Sequence, residues 1–289
     1  MSNINKNVNL IHNSIGYKLC EKILTLDDPI IYIQQYLWCM VKPNTNVIDY
    51  FKNIKDSEKK AIYFYKKYSN TNKVAIDLGS WVGFHSILLS KINKKIISIE
   101  CDPISVLNTK YNLDLNNCNN YTIYDKPISK DHTIVNVGSN TFSDSQGGWN
   151  GSCSMIHTNE IKYKKTDYGY EASVLKMETI TFSDIVKDLK PEQISLIKID
   201  IESSEEFILE DILKFCNRKI PILCSFHIKI FHQGEWHNWW KDQNLENKIF
   251  LKQYNYYDIV IENEIMNEIP INDIIDFLNK NPICEIIIK

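Results

Sequence analysis

The sequence lacks several features that would assign it to a familiar class of protein. None of its eight cysteines forms a C-x-x-C pair within the 289 residues, so we expect reduced thiols, as in a cytoplasmic protein. Neither charge dominates, since the formal net charge is −3, and this balance argues against a general binder of nucleic acid or anionic membranes. No apolar run approaches the roughly 20 residues of a membrane span. The polar first residues also lack the apolar region of a signal peptide.

Glycine is scarce as well, with nine residues, but two of them lie within five residues of the end of a short apolar run. That run, residues 74–78, is rich in β-branched side chains and carries Asp77 near its end. Apolar residues at helical spacing follow over residues 86–91. Gly79 permits a sharp turn, and Gly83 lets the backbone approach a ligand closely. The pattern predicts a strand, a tight turn and a helix, which together open a nucleotide-binding βαβ unit.

The sequence motif of this turn indicates which nucleotide-containing ligand it binds. A dinucleotide fold usually has G-x-G-x-x-G, whereas this chain has Asp77-x-Gly79-x-x-x-Gly83. A carboxylate in the turn would repel a pyrophosphate but suits the cationic amino-acid end of S-adenosylmethionine. A second predicted strand, 95–99, ends at Glu100, where an acidic side chain can accept both ribose hydroxyls. The alternative is an ordinary α/β turn with incidental glycines.

Five segments in series resemble motifs of the FkbM family of S-adenosylmethionine-dependent methyltransferases. In chain order they are Asp77-Leu78-Gly79-Ser80-Trp81-Val82-Gly83, Ile99-Glu100-Cys101-Asp102-Pro103, Asn112-Leu113-Asp114-Leu115-Asn116, Thr181-Phe182-Ser183-Asp184-Ile185 and Leu196-Ile197-Lys198-Ile199-Asp200-Ile201-Glu202. Their order and spacing agree over roughly residues 73–230. Two positions depart from the family pattern, because Glu-Gly is replaced by Glu202-Ser203 and the E-x-H ending the fifth strand by Ser225-Phe226-His227.

Five ionisable residues each fall at the end of a predicted strand: Asp77, Glu100, Asp125, Asp200 and His227. Ligands of open α/β sheets bind outside the carboxyl ends of the strands, so these five should rim one crevice. We expect Asp77 to face the methionine amine, Glu100 to hold the ribose and Asp125 to accept from the adenine amino group. For Asp77 and Glu100, helix capping or a surface position is the alternative. The full set of predicted cofactor-binding residues is Asp77, Gly79, Ser80, Trp81, Gly83, Phe84, Glu100, Cys101, Asp102 and Asp125.

Methyl transfer to a hydroxyl requires alignment of the reacting atoms and removal of a proton. Asp200, Glu202 and His227 are the catalytic candidates, and histidine titrates nearest neutral pH. Asp200 and Glu202 alternate along an extended segment, so both face the crevice only if the chain bends there. Lys198 lies inside an apolar strand and must pair with a carboxylate or a carbonyl. A hydrogen-bonded histidine without a catalytic role is the alternative for His227.

Aromatic and histidine side chains near the crevice suit a sugar ring. Trp149, in a glycine-rich loop, and Trp236 and His232, in an aromatic segment, are the predicted substrate-binding residues. The tryptophans at positions 236–240 could equally form the contact of a homodimer. We expect no metal, because the fifth strand ends without the carboxylate that metal-dependent relatives of this chemistry place there.

The expected architecture is a doubly wound α/β fold, the seven-stranded class I methyltransferase sheet, which is Rossmann-like and ends in an antiparallel edge hairpin. Residues 1–72 are predicted as an N-terminal helical cap and residues 73–289 as the methyltransferase domain. Within the methyltransferase domain, residues 133–137 are predicted as an edge strand and residues 173–181 as a further extended segment.

The resemblance implies O-methylation, with a hydroxyl of a sugar or glycan precursor as the expected acceptor. An RNA 2′-O-methyltransferase is one alternative, although it usually has a Lys-Asp-Lys-Glu tetrad and a basic groove. The lysine clusters at residues 59–60 and 162–165 are too small for such a groove. A non-catalytic scaffold that binds S-adenosylmethionine is the other alternative, and the departures at Ser203 and Ser225 would favour it.

Overall fold

The structure is a computed structural model that describes residues 58–139, 155–157, 173–202, 204–232, 235–238, 245, 248–260, 265–281 and 283–289. Most of the predicted N-terminal cap therefore lies outside the described residues, as does Trp149. Of the cap, the described part contains one helix, α1 (Lys59–Tyr68). None of the helices in the described ranges combines the length and the apolar character needed to cross a membrane.

Strands and helices alternate through the first half of the core. The elements that follow α1 are β1 (Val74–Leu78), α2 (Phe84–Ile92), β2 (Lys95–Ile99), α3 (Pro103–Leu115), β3 (Tyr121–Tyr124), β4 (Ile134–Ser139), β5 (Met155–His157), β6 (Ser173–Glu178) and α4 (Phe182–Val186). The second half contains β7 (Ile194–Ile199), α5 (Glu205–Cys216), β8 (Ile222–His227), β9 (Lys229–His232), β10 (Glu235–Asn238), β11 (Tyr256–Val260), β12 (Ile265–Ile269), α6 (Ile274–Lys280) and β13 (Ile283–Ile288).

The main sheet has the strand order β12-β11-β13-β8-β7-β1-β2-β3. The five strands from β8 to β3 run parallel, and β13 enters antiparallel to β8. The predicted doubly wound α/β fold is confirmed. The sheet has eight strands rather than seven, because β12 adds an antiparallel neighbour to β11 at the predicted edge hairpin. The strand order reverses between β1 and β7, so a crevice opens at their carboxyl ends.

The two central strands are buried along their whole length. All residues of β1 and β7 are buried, as expected of parallel strands covered by helices on both faces. Only one pair of ionisable residues interrupts these apolar runs, Asp77 on β1 and Lys198 on β7. They are register partners across the ladder, so the sheet brings together two charges that are distant in the sequence.

The helices cover opposite faces of this sheet. One cluster packs Ile208 and Ile212 of α5 against Ile76 and Leu78. The other cluster packs α1 and α2 against the opposite face of the sheet, at Ala75, Ile96, Leu196 and Leu223. Successive side chains of a strand point to opposite faces, and this alternation assigns neighbouring residues of β1 to different layers.

Strands β4, β5 and β6 form a second sheet, which is antiparallel, with β4 at its centre. The prediction of an edge strand at residues 133–137 was therefore wrong in its placement. Strand β6 pairs with β4 from Ile134↔Glu178 to Ser139↔Ser173, and β5 occupies the other side of β4. A single parallel bridge between Ile128 and Ile180 lies beside this sheet. The extended segment predicted at residues 173–181 corresponds to β6.

Candidate functional site

The turns that follow β1 and β7 lie in direct contact at the switch point of the sheet. Gly79 has a φ of +82°, and a Cβ added there would lie 1.8 Å from the carbonyl oxygen of Asp200. The backbone N–H of Asp200 donates to the carbonyl of Leu78 over 3.0 Å. Glycine is required at position 79 both for its left-handed conformation and for this close approach. The predicted cofactor turn, residues 79–83, is thus adjacent to Asp200, the first of the predicted catalytic residues.

The turn over residues 79–83 is fixed by main-chain hydrogen bonds. The N–H groups of Gly79 and Ser80 both donate to the carbonyl of Ile99, over 3.0 and 3.1 Å, and Gly83 donates to Ser80 over 2.7 Å. Trp81 adopts a φ of +46°, which is unusual for a bulky residue. Ser80 is buried and Trp81 half-buried. The backbone of the predicted cofactor turn is therefore closely defined by its neighbours.

Glu100 joins the end of β2 to this turn. Its carboxylate accepts the N–H of Trp81 over 2.7 Å and those of Cys101 and Asp102 over 2.9 Å each. Burial raises the pKa of Glu100 to about 8, although the three backbone donors lower it. Asp102 accepts the N–H of Ser105 over 2.9 Å and so caps α3. Burial also raises the pKa of the Cys101 thiol. The ribose contact of Glu100 and the adenine contacts of Cys101 and Asp102 stay predictions.

Asp77 is wholly buried, which rules out the alternative of a surface charge. Its carboxylate accepts a 2.6 Å hydrogen bond from Ser86 and lies 3.4 Å from the Lys198 ammonium. That ammonium donates to the carbonyl of Gly79 over 2.9 Å and lies 3.6 Å from a carboxylate oxygen of Asp200. Lys198 pairs with both carboxylates and a carbonyl, as the apolar strand around it requires. Lys198 therefore links the predicted cofactor turn to Asp200, the first of the predicted catalytic residues.

Opposing effects set the charges of this pair. Burial raises the pKa of Asp77, while the charge of Lys198 and the hydrogen bond from Ser86 lower it. Burial also lowers the pKa of Lys198, but the charges of Asp77 and Asp200 outweigh it, and the net shift is upward. The ammonium therefore stays charged at neutral pH. Since Asp77 already has a cationic neighbour within the protein, its contact with the methionine amine stays a prediction.

The three predicted catalytic residues converge at the tips of β7 and β8. The Nε2 atom of His227 lies 3.8 Å from Asp200 and 3.9 Å from Glu202. Glu202 has a φ of +50°, which supplies the bend that Asp200 and Glu202 need in order to face the same crevice. The Nδ1 atom of His227 lies 3.2 Å from an oxygen of Glu205. His227 is therefore enclosed by three carboxylates.

This arrangement holds a proton on the histidine. Burial alone would lower the pKa of His227, but the hydrogen bond to Glu205 and the charges of Asp200 and Glu202 raise it to about 10. Burial raises the pKa of Glu202 to about 8, against the attraction of His227. The ligand atoms of Asp200, Glu202 and His227 lie within 4.8 Å of one another. Such a set of oxygen and nitrogen donors could also surround a divalent cation.

Several residues around the crevice were not predicted from the sequence. Glu205 is wholly buried and also accepts the N–H of Ile201 over 3.1 Å. Tyr65 of α1 and His85 of α2 share a 2.9 Å hydrogen bond, and His85 lies 3.5 Å from Glu58. A glutamate in the first turn of a helix looks like an ordinary favourable charge for the helix dipole. No sequence signal pairs Tyr65 with His85, which belong to different helices.

The remaining predicted residues lie outside this cluster. Phe84, the first residue of α2, is buried in the core cluster on the face covered by α1 and α2. Asp125 follows β3 and lines an open cavity of about 650 Å³ beside that strand, so its adenine contact stays a prediction. Trp236 and His232 lie on the β9–β10 hairpin that follows β8, where Trp236 pairs with Phe231 and His232 with Glu235. Their contacts with a substrate also stay predictions.

Comparisons with known proteins identify a family for this arrangement. The family profile described as "Methyltransferase FkbM domain" matches residues 70–277. None of the curated proteins matches the chain.

The fold also has likenesses among solved structures. A proposed methyltransferase of Streptococcus mutans, solved in complex with SAH, is 12% identical over 86% of this chain and 99% of its own, with a TM-score of 0.35. Precorrin-6y C5,15-methyltransferase of Geobacter metallireducens is 11% identical over 82% of this chain and 87% of its own, with a TM-score of 0.34. Trm5b of Pyrococcus abyssi is 22% identical with a TM-score of 0.22, and the match spans 26% of this chain and 23% of that one.

Proposed function

The chain belongs to the FkbM methyltransferase family and is an S-adenosylmethionine-dependent methyltransferase, and we propose that its acceptor is a hydroxyl group of a sugar or glycan precursor. One observation carries the catalytic part of this proposal. His227 lies among the carboxylates of Asp200, Glu202 and Glu205, and the backbone of Asp200 is in direct contact with the turn at Gly79. A hydroxyl acceptor needs such a group for its proton.

The residues of the first turn fit the cofactor. S-adenosylmethionine supplies an electrophilic methyl group bound to a sulfonium. The positive φ of Gly79 and Gly83 and the absence of a Cβ at both positions keep the turn tight and free of side-chain bulk. Glu100 lies at the end of the neighbouring strand, where a carboxylate can accept ribose hydroxyls. Lys198 offsets the charge of Asp77 beneath the turn.

On the acceptor side, we assign His227 as the base that removes the hydroxyl proton. Glu205 holds Nδ1, so Nε2 is the atom that faces Asp200 and Glu202. Only the neutral imidazole accepts a proton. In the free protein the surrounding carboxylates keep the imidazole of His227 protonated at neutral pH, because they raise its pKa. Asp200 and Glu202 orient the ring and stabilise the imidazolium that forms. The sugar hydroxyl would lie at this Nε2 atom, and the β9–β10 hairpin would border it.

A direct assay tests both parts of the proposal. Labelled S-adenosylmethionine is incubated with a panel of nucleotide sugars, free oligosaccharides and RNA, and methylated products are identified by mass spectrometry. We expect a methyl ether on a sugar hydroxyl. His227→Asn should lower kcat by about 10²- to 10⁴-fold and leave the affinity for S-adenosylhomocysteine nearly unchanged. If Asp200→Asn is the more damaging change and His227→Asn is nearly silent, positioning dominates and the base assignment fails.

The alternative functions correspond to other outcomes of the same assay. Methyl transfer to RNA with no sugar product would replace the acceptor class. Tight binding of S-adenosylhomocysteine without transfer to any acceptor would favour a scaffold. A cytoplasmic location and a homodimer are further proposals from the sequence, and cell fractionation and sedimentation of the purified protein test them.

A further inference from the structure

Helix α3 presses a wholly buried threonine against the cofactor turn. Thr109 has no exposed surface, and its hydroxyl donates to the carbonyl of Trp81 over 2.6 Å. The same oxygen lies 3.4 Å from the hydroxyl of Ser80. A threonine hydroxyl carries one proton, and Thr109 gives it to Trp81. Ser80 is therefore the donor in the second contact, and one side chain holds two consecutive residues of the turn.

The same helix also fixes the end of the turn. A Cβ at Gly83 would lie 3.0 Å from the Cα and 3.2 Å from the Cγ2 of Thr109, so the turn and the helix are in close contact. Asn112, one helical turn further along α3, donates to the carbonyl of Val82 over 2.7 Å. Residues three apart share a helix face. Thr109 and Asn112 thus bind the carbonyls of two successive residues, Trp81 and Val82.

These contacts act where the backbone needs support. Trp81 has a positive φ. Residues other than glycine adopt this backbone conformation at a cost in free energy and keep it only when the surrounding structure imposes it. Its N–H is held by Glu100 and its carbonyl by Thr109. Both sides of the unusual residue are therefore fixed by side chains from neighbouring elements.

We propose that Thr109 is a positioning residue for the cofactor, which holds the turn over residues 80–83 in its binding conformation before S-adenosylmethionine arrives. The proposal rests on the assignment of this turn as the cofactor site. A turn that is already ordered does not lose that conformational freedom on binding, so preorganisation appears as affinity. Asn112 supports the same turn from the next position on the helix face.

The test uses calorimetric titration with S-adenosylhomocysteine, which needs no acceptor. Thr109→Val keeps the shape of the side chain and removes the hydroxyl, and Thr109→Ser keeps the hydroxyl. We expect the valine variant to bind about 3- to 10-fold more weakly and the serine variant to bind nearly as tightly as the wild type. Should the valine variant fail to fold, Asn112→Ala, which removes the donor to Val82, takes its place with the same expectation.

A matched control separates positioning from general loss of stability. Ser195 is also buried, and its hydroxyl lies 2.7 Å from Oδ1 of Asn93 and 3.0 Å from the carbonyl oxygen of Val74, but it lies at the start of β7, the end of the strand away from the crevice. Ser195→Ala should lower the melting temperature without changing the affinity. Equal affinities for Thr109→Val and the wild type would overturn the inference. A wild type that does not bind S-adenosylhomocysteine would instead overturn the cofactor-site assignment itself.

Discussion

Replacing Lys198 with methionine should destabilise the fold much more than the loss of a surface ion pair would. The lysine is 3% exposed and Asp77 is 0% exposed, and their charged groups lie 3.4 Å apart. Methionine matches the length of the lysine stem but offers no charge. The carboxylate of Asp77 would then be left in the core without a cation, with Ser86 as its hydrogen-bond donor.

The expected size of this effect follows from the burial of both groups. Breaking a buried ion pair by removing one partner costs about 3–5 kcal/mol, because the remaining charge stays in a medium of low polarity. A surface pair is worth about 0–1 kcal/mol. Replacing both charged residues by uncharged groups of similar volume often changes the free energy of unfolding little. The double variant Asp77→Asn with Lys198→Met should therefore recover most of the loss.

The loss should also depend on pH in a defined direction. Burial already raises the pKa of Asp77, and removal of Lys198 raises it further, so the variant can relieve the charge by taking up a proton. A carboxyl whose folded-state pKa is raised contributes stability at low pH that is lost as the pH rises through that pKa. The deficit of Lys198→Met relative to the wild type should therefore be small in acid. It should grow above the wild-type pKa of Asp77 by up to about 1.4 kcal/mol per pH unit.

Urea unfolding followed by circular dichroism measures these free energies, at several pH values, for the wild type, both single variants and the double variant. A coupling energy near zero, with the double variant losing the sum of the single losses, would refute the reasoning. A deficit for Lys198→Met that is independent of pH would show that the buried charge of Asp77 is not its cause.

Three further predictions concern activity and binding. Below the pKa of His227, about 10, kcat/KM should rise about tenfold per pH unit, because only the neutral imidazole is a base. A stopped assay at several pH values below this pKa measures kcat/KM, and a flat profile would contradict the prediction. Turnover should survive EDTA, as expected from the sequence. Activity that disappears with EDTA and returns with magnesium would instead make Asp200, Glu202 and His227 metal ligands. If the ribose hydroxyls donate to a charged carboxylate, Glu100→Ala should weaken binding of S-adenosylhomocysteine by about 1.5–3 kcal/mol. Calorimetry measures the change, and an unchanged affinity would remove Glu100 from the ribose site.

Local patterns in the sequence predicted the order of the elements. Apolar runs bounded by acidic residues and glycines placed β1, β2 and β7, because a buried parallel strand needs a nearly continuous apolar sequence. The motifs around Gly79 and Gly83 predicted the tight turn, since a left-handed backbone restricts the residue type. The five motifs in series also predicted the family. These features depend on neighbouring residues, and a sequence displays them directly.

The sequence also predicted which ends of strands would meet, but not the contacts made there. Parallel strands carry their carboxyl ends to one edge, which is why Asp200 and His227 could be placed together in advance. From the sequence, Asp200 and Glu202 could share the crevice only if the chain bends between them, and the left-handed conformation of Glu202 that provides this bend was not predicted. Strand β12 was not predicted. The separate sheet around β4 was missed because an extended segment shows the same local pattern whichever sheet it joins.

Only the tertiary structure decided how the charges are paired. Lys198 meets Asp77 because β7 inserts beside β1 after a long excursion of the chain, and the sequence holds no record of that register. Glu205 encloses His227, and Thr109 holds the turn at Trp81, through contacts between separate elements. Burial then sets the pKa values, since desolvation depends on everything that packs around a group. The residue types at the site belong to the sequence, but their ionisation and orientation arise from packing between distant segments.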